Sequence, residues 1–177
     1  MTSTADISRE ERPWFGSWPG HMPKRLAYPD VPAWWILERN LERLADRTAI
    51  LFLHHETRTE LERLTYRALW DRANALAAGL HDLGIRGGDR VGVMLPNSPS
   101  IIISYYGIWM AGAAITPCNA LASKKEFIHQ LKDAGAKILI AAENMADMAV
   151  SVAAGLGIPV ILAPVGEEAA ISPAGVI

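Results

Sequence analysis

The sequence predicts an α/β fold: an open, mostly parallel, doubly wound sheet with flanking helices, preceded by a β-hairpin. Three observations predict it. Short apolar runs bounded by proline or glycine, such as residues 90–95 before Pro96, alternate with segments of helical periodicity. Each strand-plus-helix unit takes about two dozen residues, the length of a parallel βαβ crossover. The runs are also apolar on both faces, as strands covered from both sides must be.

Length and composition support a single core. The chain has 177 residues, half of them hydrophobic, enough to bury one domain. Seventeen basic residues against nineteen acidic ones leave a net charge of -2. No basic block interrupts the chain, which excludes nucleic acid as an expected partner. One cysteine, Cys118, excludes an internal disulfide and agrees with a reducing compartment. Residues 1–12 are polar and charged and carry no secretory h-region. These features place the expected protein in the cytoplasm.

The elements follow in order. Residues 1–31 read as an irregular arm, since Pro13, Pro19, Gly16 and Gly20 break helix and strand alike. The arm's tryptophans and Phe15 are expected to pin it to a surface. An α/β subdomain then spans residues 32–164. Its first helix is expected over 32–45, with Pro32 at N1 and a mixed face of Trp35, Ile36, Arg39 and Leu44. Apolar runs at 48–53 and 61–66, separated by the charged stretch 56–60, predict the hairpin. Leu69, Trp70, Ala73, Leu76, Ala77, Leu80 and Leu83 recur at spacings of three and four, predicting an amphipathic helix closed by Gly84.

After the strand at 90–95, Ser98-Pro99 offers an N-cap and N1. The segment 101–111 is apolar nearly all round. It is too short to span a bilayer, which takes about 20 residues, so it reads as a helix buried on several sides. A strand follows at 113–116, ended by Pro117. Ser123 and Glu126 form a capping box, opening a helix whose inner face is Phe127, Leu131 and Ala134 and which Gly135 stops. Residues 137–140 predict a strand, 144–154 a short helix and 158–162 a last strand. Residues 165–177 carry no periodicity and read as a linker.

In open α/β sheets ligands sit beyond the carboxyl ends of the strands. Three loops belong there: 96–98, 117–123 and 141–144. None is glycine-rich, as a phosphate cradle at a helix start requires. The denser glycine cluster, Gly84, Gly87 and Gly88, lies after a helix and before a strand, on the opposite edge, where it reads as a helix stop and tight turn. This argues against a dinucleotide fold and against a P-loop. Cys118 has no His or acidic residue near it in sequence and reads as a small packed residue rather than a nucleophile. Asp89 reads as a turn cap, with general-base work as its remote alternative. His54 and His55, adjacent on a strand, point to opposite faces and do not converge on a metal.

The same residues carry a resemblance. Leu64-Thr65-Tyr66-Arg67-Ala68-Leu69 resembles the first core motif of the adenylate-forming enzymes, the acyl-CoA synthetase, luciferase and adenylation-domain group. The stretch from Gly88 to Ser98 is similar to the strand segment that follows it there. Met110-Ala111-Gly112-Ala113 with Pro117-Cys118-Asn119 resembles the second core motif. The family usually has Lys where this chain has Met110, and commonly Pro where it has Ala120. Arg12-Pro13-Trp14-Phe15, Tyr28-Pro29 and Ala45-Asp46-Arg47-Thr48-Ala49 are similar to the opening of medium- and long-chain fatty acid–CoA ligases.

The resemblance implies an incomplete synthetase N-domain and a two-step ligase. ATP, with Mg²⁺, adenylates a fatty acid, and CoA then displaces AMP. It also implies that the phosphate loop, the adenine- and metal-binding residues and the catalytic Lys lie downstream of the second core motif. No catalytic or metal residue is therefore carried over. Asn119 and Leu121 are the candidates for lining a CoA or acyl channel. The expected partner is the remainder of the synthetase, with self-association as an alternative. The complete enzyme is expected in the cytoplasm or at the membrane periphery. An enzyme fragment, a split subunit pairing with a separate chain, and an unrelated small α/β binding module all remain open. An in-frame downstream phosphate loop selects the first, and a neighbouring reading frame starting at that loop selects the second.

Overall fold

The computed structural model describes residues 13–24, 28–54, 56–119 and 122–165. His55, Leu121, residues 1–12 and the expected linker after Val165 lie outside them. The chain divides into two compact units, Met1–Val31 and Pro32–Ile177.

In the first unit Pro13–Ser17 form one 3-10 turn, and the other described residues have no regular structure. The aromatic rings contact one another: Phe15 lies edge-on to Trp14 at 6.3 Å and to Trp18 at 5.7 Å. The Lys24 ammonium stands 5.3 Å from the Phe15 ring centre. The Trp18 indole N–H donates to the Met22 carbonyl at 3.2 Å.

The second unit opens with α1 (Trp35–Leu44). The helix starts three residues later than the sequence suggests. Pro32 sits in the turn before it, where its carbonyl accepts from the Trp35 N–H at 3.0 Å. Leu37 and Leu41, four apart, are the buried residues, whereas Ile36 is 62% exposed. Strands β1 (Thr48–Leu53) and β2 (Glu60–Thr65) pair antiparallel as the expected hairpin. Helix α2 (Tyr66–Asp82) is capped by Thr65, whose hydroxyl accepts from the Ala68 N–H at 3.1 Å. Gly84 follows at φ +88°, a left-handed conformation that ends the helix at little steric cost.

Strands β3 (Arg90–Met94), β4 (Ala114–Pro117), β5 (Ile138–Ala142) and β6 (Val160–Ala163) form one parallel sheet in the order β4-β3-β5-β6. Helices α3 (Pro99–Met110), α4 (Lys124–Ala134) and α5 (Ala146–Leu156) are the crossovers. Period-two alternation divides the core into two layers. Val91, Val93, Ile138, Ile140 and Ile161 face α2 and α3, while Met94, Leu139, Ala141 and Val160 face α4 and α5. A third cluster of Leu37, Leu64, Leu69 and Ile103 ties α1 and the hairpin to α2 and α3. Two glycines permit close approach. A Cβ on Gly107 would stand 2.8 Å from Leu76 of α2, and one on Gly92 would stand 2.3 Å from Leu131 of α4.

Local details also depart from the sequence reading at β4 and at the start of α3. Pro117 pairs with Val93 and so extends β4 instead of ending it. An edge strand tolerates this because the missing N–H faces away from the ladder. Cys118 then donates its N–H to the Val93 carbonyl at 2.9 Å. Ser98 occupies the N-cap position of α3, with Pro99 at N1, but its side chain accepts no helical N–H. Its hydroxyl donates to the Pro96 carbonyl at 3.1 Å. The Ser123–Glu126 capping box has both of its reciprocal hydrogen bonds.

Candidate functional site

The strand order locates the place where a doubly wound sheet binds its ligands. From β3 the chain crosses to β4 on one side, and from β5 it crosses to β6 on the other. The switch point therefore lies between the carboxyl ends of β3 and β5, where the loops 95–98 and 143–145 emerge. Ser98 and Ser100 are buried there. The Ser100 hydroxyl donates to the Pro164 carbonyl at 2.7 Å, tying the first turn of α3 to the end of β6. A separation of 64 residues gives that contact no local sequence signal.

A cavity of about 420 Å³ lies against Glu143, Asn144, Met145, Ala146, Asp147 and Met148, where β5 runs into α5. Its polar side chains are two carboxylates and one amide. Such a lining repels phosphate and attracts cations. Among the described residues, no group of three or more His, Cys, Asp or Glu is placed to hold a metal ion.

The structure separates the residues that the sequence singles out. Asn119 lies two residues past the end of β4 and is exposed, and its carbonyl accepts from the Ala122 N–H at 2.9 Å. Its proposed companion Leu121 lies outside the described residues. Cys118 is 8% exposed, and its Sγ lies 3.6 Å from the Thr116 carbonyl. Burial pushes its thiol above the ordinary cysteine range, which opposes the thiolate a nucleophile needs.

Asp89 stands at the amino end of β3, on the edge opposite the switch point. It accepts from the Lys137 ammonium at 2.7 Å and the Arg86 N–H at 2.8 Å. The lysine hydrogen bond, followed by the Arg86 backbone bond, holds its carboxyl below the usual range. A carboxylate so paired is a turn clasp, not a base poised near neutrality. Gly84 and Gly88, both with positive φ, build that same turn. Sequence reading missed the partly buried Glu62–Arg72 ion pair at 2.7 Å, which joins β2 to α2. Its members are ten residues apart, on two elements whose docking has no local signature.

Comparison with known proteins assigns this architecture. The profile described as "AMP-binding enzyme" matches residues 37–171. The long-chain-fatty-acid–CoA ligase of Bacillus subtilis (strain 168) is 36% identical over 132 residues, covering 75% of this chain and 22% of the ligase. That of Escherichia coli O6:H1 is 32% identical over 136 residues, covering 75% and 23%. The anthranilate CoA ligase AuaEII, solved in complex with anthranoyl-AMP, superposes at a TM-score of 0.66 with 29% identity, over 75% of this chain and 25% of that one. A benzoate CoA ligase from Burkholderia xenovorans LB400 reaches the same TM-score at 21% identity, a likeness of fold alone. The chain spans under a quarter of the length of these two fatty-acid ligases. The switch-point sheet, its hairpin and the matched profile together establish that the chain belongs to the AMP-binding enzyme family.

Proposed function

We propose that this chain is the amino-terminal segment of an ATP-dependent acyl-CoA synthetase, acting on a fatty acid, and is inactive alone. The complete reaction takes fatty acid, ATP and CoA to acyl-CoA, AMP and pyrophosphate. The observation that carries the reading is the extent of the match: three quarters of this chain aligns with less than a quarter of a long-chain ligase.

The described residues offer no cradle for the phosphates of ATP. The carboxyl-end loops lack a glycine cradle, and the cavity beside β5 presents Glu143 and Asp147 to any phosphate. No adenylation step is therefore assigned to a residue of this chain. In this proposal Asn119 and Leu121 line the far side of the CoA or acyl channel, and the partner is the rest of the synthetase. ATP, Mg²⁺ and CoA belong to the complete enzyme.

Fatty-acid-dependent exchange of labelled pyrophosphate into ATP tests the proposal. The purified chain is expected to show no exchange above a protein-free control. Exchange that rises with chain concentration would overturn the assignment of an inactive segment.

A further inference from the structure

We draw no further inference here: the strongest candidate, the exposed patch of Trp14, Trp18 and Met22 in the amino-terminal unit, is an open apolar surface, and nothing in the structure shows what covers it.

Discussion

Gly92 is the position where one added methyl group tests the packing of the whole α4 layer. It lies in β3 with its missing side chain directed at α4. An ideal Cβ there would stand 2.3 Å from Leu131 Cδ2 and 3.2 Å from Leu139 Cδ1. Carbon atoms in contact settle at about 3.5–4.0 Å, so the Leu131 methyl has to retreat by more than ~1 Å. It has little room, since Leu131 is 1% exposed and packs in the cluster that holds Phe127, Ala149 and Val152. Overpacking of this kind costs about 1–3 kcal/mol. The φ of Gly92 lies outside the left-handed region, so Ala fits the backbone and returns about 0.5–1 kcal/mol by restricting the unfolded chain. The expected net effect of Gly92→Ala is a loss of about 1–2 kcal/mol.

A double-mutant cycle separates this clash from a general intolerance of the strand. Leu131→Ala alone is expected to cost about 2–5 kcal/mol through the cavity it leaves. With both changes, the new methyl enters space that Leu131 has vacated. The pair should then cost less than the sum by at least ~1 kcal/mol. Urea unfolding of the four proteins, followed by circular dichroism at dilute concentration, gives the coupling by linear extrapolation. Additive costs, or a Gly92→Ala protein more stable than its parent, would refute the packing argument.

Two further predictions concern titratable groups. Cys118, buried with its thiol pushed up, is expected to react with a bulky thiol reagent at least ~100-fold more slowly in the native chain than in denaturant; comparable rates would return it to candidacy as a nucleophile. Asp89 and Glu126 both have folded-state carboxyls held below the ordinary range, Asp89 first by Lys137 and Glu126 first by the Ser123 hydroxyl. Their contribution is therefore present above the unfolded carboxyl range and is lost as pH falls through the lower folded values. Melting temperatures recorded from neutral pH down into that range should fall less steeply in Asp89→Asn and Glu126→Gln, and slopes equal to the parent's would refute the linkage.

The elements of the fold were legible wherever the signal was local. The spacing of Leu69, Ala73, Leu76 and Leu80 marks α2, and Ser123 with Glu126 marks the start of α4, because a helix is written by neighbours within one or two turns. The start of α1 was misread. Pro32 suits an N1 position, yet it equally suits the turn before one, and tertiary burial of Leu37 and Leu41 decides the helical face. Ser98 shows a similar limit: the residue type fits an N-cap, but the nearby Pro96 carbonyl competes for its hydroxyl. Strand order was not legible at all, since β3 pairs with β5 across an intervening strand and two helices. The candidate site was legible only as a set of loops. Asn119 is where the sequence placed it, after β4, but a loop position carries no statement about what it touches.

The carboxyl edge of this sheet also explains why a family likeness and an assignment of chemistry part company here. A triphosphate needs converging N–H groups or cations, and each phosphate oxygen left without one is penalised by its own desolvation. At the switch point the buried Ser98 and Ser100 hydroxyls donate to the carbonyls of Pro96 and Pro164. Those donors are spent on holding the chain, not on offering a cradle. Beside them Glu143 and Asp147 add negative charge. The arrangement suits a scaffold that fixes where α3 and β6 end more closely than it suits an anion site. Under the proposed function, the groups that hold the nucleotide come from the rest of the synthetase, and this sheet supplies a rigid edge for them to work against.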